Sequence, residues 1–565
     1  MSVNERLASS RWRLWFVGLA LGLLAVIVCG RLIWLHVLET RNLRDISDEI
    51  TIRYQNIPAY RGMITDRFAQ PLAISTPVAA IAARPDKLSS NSSWHEILAP
   101  LLDIHADRLR DRVAKSVSPF LYLSRYVTPE RANQIEALGL DGIEVLRQFR
   151  RFYPAGEVAA HLVGFTDIED SGQEGLELSF NKWLSGKDGL RHVLRNRREN
   201  VVRYVSAGQE VKQGRDLRLS IDLRLQYLTY RALKQAVTRA RAAGGSAVLV
   251  DALTGEVIAL AAQPAFNPND MSTRQPEKVR NRGVTDLMEP GSPIKPFTVA
   301  TAIDLGLIDS ETLIDTSPGR MNVPGHVIRD MRNYGEIDVA TVIAKSSNVG
   351  AAKIALSMEA SALRDRLALL RLGQSTAIGL PGEEDGFLPS YATWRDMDRA
   401  ALSYGYNLNV TTIQLAQAYS VFANEGVLQP LTLLSGGVTP KPVRVFKEET
   451  VRKVLPMLRA ATEDGGTARR AQIPLYHVGG KTGTTMKYAD GSYASRQYIS
   501  SFVGLAPIAN PRFVMAISID DPRSQQYFGG QVAAPVFADV MDDVMRIYDM
   551  KPDKLDQSAL AWRVD

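Results

Sequence analysis

The chain has 565 residues, of which 45% are hydrophobic and 23% charged; this exceeds one ordinary domain and excludes a disordered protein. A single cysteine, Cys29, excludes an intrachain disulfide, and seven scattered histidines without His-Glu-x-x-His or Cys-x-x-Cys give no expectation of a metal or other cofactor. The net charge of +6 lacks the basic cluster with interleaved aromatics that nucleic acid requires, and suits an anionic polymer or a membrane face instead.

Residues 1–13 are short and polar, with Arg6, Arg11 and Arg13. Leu14 to Gly30 is uncharged, and after Arg31 the apolar run resumes at Leu32-Ile-Trp-Leu35. A span needs roughly 17–25 residues, so 14–38 is expected to cross a membrane. The preceding arginines predict a cytoplasmic tail at 1–13 and place everything after about residue 40 outside the membrane. No small-x-small cleavage site follows the run, so the segment reads as an uncleaved anchor. Val28 before Cys29 argues against lipid attachment there.

Residues 45–215 form a first extracytoplasmic region. Tyr54 to Ala73 reads as strands joined by a turn, and Leu101–Val113 and Pro129–Leu138 as amphipathic helices. Arg151-Phe-Tyr-Pro-Ala-Gly156, His161, Gly164 and Gly172-Gln-Glu-Gly-Leu-Glu177 are glycine-punctuated and carry no nucleophile spacing. The region is expected to be a structural pedestal, with Arg61, Asp66, Arg67, Arg151, Glu174 and Glu177 in internal salt bridges.

Residues 216–565 form a second domain, entered through a junction strand at 214–222. Leu223 to Ala243 is helical by period, with Leu225, Leu228, Leu233 and Val237 on one face. Ser246-Ala-Val-Leu-Val-Asp251 and Val257-Ile-Ala-Leu-Ala261 flank a hairpin turn. Helices dominate from Ser292 to about Gly426. Strands return at 477–484, 499–506 and 512–520, and a helix closes the domain over 532–548. Strands early and late with helices between predict an α+β fold: one sheet built from both ends of the domain, with a helical subdomain beside it.

Three segments carry chemistry. In Glu289-Pro-Gly-Ser-Pro-Ile-Lys-Pro-Phe297, Ser292 takes an N-cap-like position, Pro293 the first helical slot, and Lys295 follows on the same face. That serine is either an activated nucleophile or an ordinary cap, and Ser179 to Lys182 has the same spacing. Ser346-Ser347-Asn348 is Ser-x-Asn, as is Ser89-Ser90-Asn91. Lys481-Thr482-Gly483-Thr484 supplies the chain's one Lys-Thr-Gly. Together, in this order, they match the set shared by penicillin-binding proteins and serine β-lactamases. Val478-Gly-Gly-Lys-Thr482 is not a phosphate loop, because the first glycine would fall at Leu475.

The motifs in this setting resemble the class B penicillin-binding proteins, specifically the division-specific type. The resemblance extends through Arg61-Gly62, Asp66-Arg67, Tyr153-Pro-x-Gly156, His161, Glu174-Gly175, Ser220-Ile-Asp222, Thr254-Gly-Glu256, Asn267-Pro-Asn269, Asn281-Arg282, Tyr404-Gly405 and Gln414-Leu415. It implies a transmembrane helix, an elongated α+β pedestal and a transpeptidase domain with a five-stranded antiparallel sheet. It also implies a D,D-transpeptidase that crosslinks peptidoglycan stem peptides in the septum and is acylated by β-lactams. Ser292 would be the nucleophile, with Lys295 the base, its pKa lowered by burial and by Lys481. Ser346 would relay a proton and Asn348 would orient Lys295. Ser347, Thr482, Gly483 and Thr484 would bind substrate, Thr482 and Thr484 at its carboxylate. The N–H groups of Ser292 and Thr484 would form the oxyanion hole. Implied partners are a polytopic lipid II polymerase and other division proteins at the bacterial inner membrane, with the catalytic domain periplasmic. The rival readings are a D,D-carboxypeptidase or β-lactamase-like hydrolase, a non-enzymatic scaffold or β-lactam sensor, and an elongation-type or secondary paralogue. Four departures from the family pattern stand out: Phe68-Ala69 for the usual Asn-Gly, Asn196 for an aspartate, Pro293 for threonine or valine, and Asn407 for a glycine.

Overall fold

The computed structural model describes residues 3–39, 52–88, 93–195, 201–390, 394–437, 440–489 and 492–554. Asn196, Ser89-Ser90-Asn91 and the start of the first region at 45–51 lie outside the described residues. Residues 1–59 with 186–213 pack as one unit, and 60–185 with 214–565 as another.

In the first unit, the helix Val3–Ile33 continues into a widened turn, Trp34–Leu38. Its Trp12–Val37 stretch has a mean hydropathy of 2.4 and is nowhere buried by protein, which suits an apolar helix whose solvent is lipid. Strands Ile52–Ile57, Gly189–Arg195 and Val201–Ala207 form a three-stranded antiparallel sheet.

In the second unit, the long strand Pro71–Ala83 pairs with Leu121–Val127 and Ile143–Phe152. Its far half packs with Leu98, Leu109, Leu123 and Ile135 in a separate small core. The single helix expected at 101–113 is two, Trp94–Leu102 and Ala106–Ala114; Asp103 at φ +57 breaks it by terminating the first helix in the left-handed region. Glu177, fully buried, bridges Arg61 (2.5 Å) and Arg151 (2.6 Å), and Arg67 pairs with Glu256. Asp66 and Glu174 differ from expectation. Asp66 accepts backbone N–H bonds from Phe68, Gln70 and Leu223. Glu174 has no ion pair among the described residues, and burial raises its pKa.

Near the expected boundary at 215 the chain passes from the first unit into the second, between Gln213 and Gly214, and residues 60–185 belong to the same unit as 214–565. The junction strand is only Leu217–Arg218, paired in parallel with Ile64–Thr65. Ile64, Leu72, Leu162 and Leu219 share one continuous core with Val250 and Phe297.

Five antiparallel strands form the second domain's sheet, in the order Val257–Gln263, Gly244–Asp251, Phe513–Asp520, Ser492–Ala506, Gly479–Ala489. Their side chains alternate as the period of two requires. Val248, Val250, Val503, Leu505, Val514 and Ala516 face the helical side. Ala247, Leu249, Phe502, Phe513, Met515 and Ile517 pack with the helices Leu223–Ala240 and Ala534–Ile547. Small antiparallel strand pairs interrupt the helical subdomain: Leu313–Asp315 with Glu336–Asp338, which encloses in sequence the hairpin of Arg320–Val323 with His326–Arg329. The edge strand Gly479–Ala489 begins with Gly-Gly-Lys-Thr-Gly-Thr.

Candidate active site

The Glu289-Pro-Gly segment delivers the chain to a single 3-10 turn, Ser292–Ile294, which runs into the helix Lys295–Asp304. The cap is Gly291 at φ +66, and Ser292 lies inside the turn with its hydroxyl uninvolved in capping. This corrects the N-cap reading of Ser292: a left-handed glycine redirects the chain, so the serine side chain is left to the cleft. Gly291 N–H donates to Gly405 O (3.0 Å). A Cβ on Gly405 would lie 2.0 Å from Gly291 O, so only glycine allows this approach. Tyr419 O–H donates to Pro293 O (2.7 Å) and fixes the turn from below.

The second segment comes in at the N-terminus of the helix Asn348–Leu356. Ser346, at φ +62, holds its Oγ 2.9 Å from Ser292 Oγ and 3.1 Å from Lys295 Nζ. Lys295 Nζ also donates to Ser346 O (2.6 Å) and Asn348 Oδ1 (2.7 Å). Lys295 is wholly buried. Its pKa is driven well below the lysine range by that burial, next by the nearby Lys481 ammonium, and against the pull of Asp330. Lys295 Nζ thus donates to three oxygens, Ser346 Oγ, Ser346 O and Asn348 Oδ1, and Ser346 Oγ in turn donates to Ser292 Oγ.

Ser347 is placed otherwise than expected. It is fully buried, and its Oγ donates to Asp330 Oδ2 (2.6 Å) and accepts from Gly350 N–H (2.9 Å). It caps the helix, and its hydroxyl is spent inside the protein. Sequence reasoning missed Asp330. Its other oxygen accepts from the N–H groups of Asn348 (2.5 Å) and Val349 (3.1 Å), which fixes the segment carrying Ser346 and Asn348. Arg-Asp in a loop before a serine-rich stretch carries no spacing that would have revealed this.

The third segment is the edge strand. Lys481 is fully buried, and burial pulls its pKa down to about 7. Thr482 Oγ1 donates to Thr467 Oγ1 (3.0 Å). Thr484 Oγ1 donates to Gly483 O (2.8 Å) and accepts from Gly529 N–H (3.0 Å). At Gly483 an added Cβ would meet Ser501 Oγ at 2.3 Å, Pro290 O at 2.8 Å and Pro293 Cδ at 2.9 Å. Glycine therefore lets the strand lie against the turn that carries Ser292.

Thus Ser292, Ser346, Lys295 and Asn348 form one hydrogen-bonded chain, with the Lys481-Thr-Gly-Thr strand packed beside it. Such an arrangement can move a proton off a hydroxyl into a dry amine and present donors to a nearby anion.

Residues 245–542 match the penicillin binding protein transpeptidase domain, and 56–219 match the penicillin-binding protein dimerisation domain. The chain is 42% identical over 534 residues to the peptidoglycan D,D-transpeptidase FtsI of Escherichia coli K12, covering 93% of this chain and 90% of that one. It is 40% identical over 537 residues to a probable peptidoglycan D,D-transpeptidase, PbpC, of Pseudomonas aeruginosa, covering 95% of each. Among solved structures, penicillin binding protein 3 of Mycobacterium tuberculosis with aztreonam superposes with a TM-score of 0.70 at 27% identity, over 88% of this chain and 98% of that one.

Proposed function

We infer, the chain belonging to the class B penicillin-binding proteins, that it is a peptidoglycan D,D-transpeptidase of septal cell-wall synthesis, acting through a serine acyl-enzyme that β-lactams also form. The observation that carries this is the Ser292–Ser346–Lys295 chain of hydrogen bonds ending on a buried amine whose pKa is lowered by that burial and by Lys481.

In this reading Ser292 Oγ attacks the carbonyl between the last two D-alanines of a stem peptide. Its proton passes to Ser346 Oγ as that hydroxyl gives its own to the Lys295 lone pair. Asn348 keeps Lys295 oriented. The oxyanion develops at the start of the turn that carries Ser292, where the N–H groups of Ser292 and Thr484 would receive it. The terminal carboxylate lies along the edge strand, held by Thr482 and Thr484 with Lys481 behind, and Thr484 exchanges its bond to Gly483 O for the carboxylate. The proton on Lys295 returns through Ser346 to the departing D-alanine amine, leaving an ester on Ser292. A second strand's amine attacks that ester, its proton retracing the same path, and the crosslink forms.

The apolar N-terminal helix supports a single-pass membrane anchor; in this reading it sits in the bacterial inner membrane, and the arginines before it argue for an N-terminus in the cytoplasm and a catalytic domain in the periplasm. A polytopic lipid II polymerase and other division proteins are the partners this anchor and the pedestal would meet. The test of the activity supplies a D-Ala-D-Ala donor with an amine acceptor and follows both D-alanine release and product. A crosslinked product is expected. Release of D-alanine with only hydrolysed donor, even at high acceptor, would make the protein a carboxypeptidase. A fluorescent fusion at midcell supports the septal role, and a sidewall pattern contradicts it.

A further inference from the structure

The hairpin of Arg320–Val323 with His326–Arg329 lies on the helix that begins at Asn348. Val323 and Ile328 pack with Val349 and Ala352 of that helix, and Met321 sits beside them. Alternation along each strand then sends Arg320 and Arg329 to the outer face, where both are exposed. The register sets them directly opposite one another, which puts their Cβ atoms about 5 Å apart. Asp330 N–H donates to Gly319 O (3.0 Å) and fixes that register at the open end of the hairpin. A third exposed arginine, Arg332, lies over the Tyr334 ring, 5.2 Å from its centroid.

Like charges that face each other across a strand pair are destabilising, and no local carboxylate offsets this pair. Among the described residues none pairs with Arg320, Arg329 or Arg332. Asp330, between Arg329 and Arg332 in sequence, is turned inward. Its oxygens accept from Ser347 Oγ (2.6 Å) and from the N–H groups of Asn348 (2.5 Å) and Val349 (3.1 Å). An anion laid across the outer face relieves the repulsion and takes the forked hydrogen bonds that guanidinium groups give a carboxylate.

The hairpin is continuous with the catalytic groups. Arg329 O accepts from Asn348 Nδ2 (3.0 Å), and Asn348 Oδ1 accepts from Lys295 Nζ (2.7 Å). The donor's terminal carboxylate already has its place along the edge strand of the sheet. The hairpin belongs to the helical subdomain, so its arginines suit a different anion. Crosslinking brings one, because the second stem peptide also ends in a carboxylate. We propose that Arg320 and Arg329, with Arg332 alongside, form a subsite for a carboxylate of the acceptor stem peptide. The proposal rests on the transpeptidase reading.

The test uses the full chain in detergent with an amine-free thioester donor. One amine-bearing peptide acceptor is offered either with a free C-terminal carboxylate or as its C-terminal amide. At low salt the wild type is expected to show an acceptor KM about five- to tenfold lower for the carboxylate form. That preference should shrink as added salt screens exposed charges. The double variant Arg320→Gln, Arg329→Gln is expected to treat the two acceptors alike at every salt concentration. Arg329→Lys keeps the charge without the fork and should retain a preference of about two- to threefold. Penicillin acylation, which needs no acceptor, is followed in each variant as the reference. Equal KM values for the two acceptors in the wild type, or a preference that survives the double variant, overturn the subsite. So does a parallel fall in penicillin acylation, because the arginines would then act through Asn348 on the catalytic groups. A wild type that only hydrolyses the donor overturns the transpeptidase reading and the subsite with it, and the missing aminolysis product tells that failure apart.

Discussion

The lowered pKa of Lys295 and that of Lys481, about 7, give acylation a defined pH response. Lys295 accepts a proton only when neutral, so the acylation rate rises with pH through its depressed pKa. Lys481 attracts the substrate carboxylate only when charged, so the rate falls again above about pH 7. A carboxylate-bearing β-lactam should therefore show a bell-shaped profile of kcat/KM, and its methyl ester should lose the alkaline limb. An alkaline limb of the same size with the ester would remove Lys481 from carboxylate binding. Asp330→Ala frees the N–H groups of Asn348 and Val349 and the hydroxyl of Ser347 at once. It should cost about 1–2 kcal/mol in chemical denaturation and slow acylation at least tenfold, because Ser346 loses its support. At this scale the sequence carried the candidate groups that the fold brings together, Ser292, Lys295, Ser346 and Asn348, since the chemistry proposed for them demands fixed residue types at fixed spacing. It did not carry Asp330, which acts across 18 residues of chain through a loop, nor the spent hydroxyl of Ser347, which only the helix start explains.

Strands and helices with strong periodicity were legible in the chain. The hairpin of Gly244–Asp251 with Val257–Gln263 and the helix Leu223–Ala240 fall where alternation and the 3.6-residue period put them. Breaks were harder to read. Nothing in Leu101 to Val113 interrupts the apolar pattern, yet the left-handed Asp103 divides it in two. The turn after Asp66 is the reverse case. Its Phe68-Ala69 argued against a tight hairpin, yet Asp66 supplies side-chain bonds to Phe68 and Gln70 that close it, and Ala69 accepts φ +63. Ala69→Gly should relieve that strain and stabilise the protein by about 0.5–1 kcal/mol in denaturant titration; a loss of stability would show the strain to be absent. Gly483→Ala should push the edge strand off the nucleophile turn and reduce penicillin acylation by at least tenfold, with little change in melting temperature.

For the second compact unit, the sequence suggested a pedestal joined to an enzyme at one junction, and the packing unites them. Residues from 64 to 219 and from 248 to 516 contribute to a single core, because the two-residue strand Leu217–Arg218 is laid directly on Ile64–Thr65. Composition and periodicity specify which faces are apolar but not which distant faces meet. Residues 60–185 and 214–565 should accordingly melt in one transition. Glu177→Gln strands two buried guanidinium groups, those of Arg61 and Arg151, and should lower that transition by about 3–5 kcal/mol. A separate early transition, with the penicillin-binding part unmoved, would refute the shared core. The account as a whole depends on Ser292 becoming an ester, and intact-mass measurement after penicillin treatment tests this most directly. The wild-type chain should gain the mass of one penicillin and hold it for hours, while Ser292→Ala gains nothing. A Ser292→Ala chain that still carries the drug, or a wild type that never does, would contradict it.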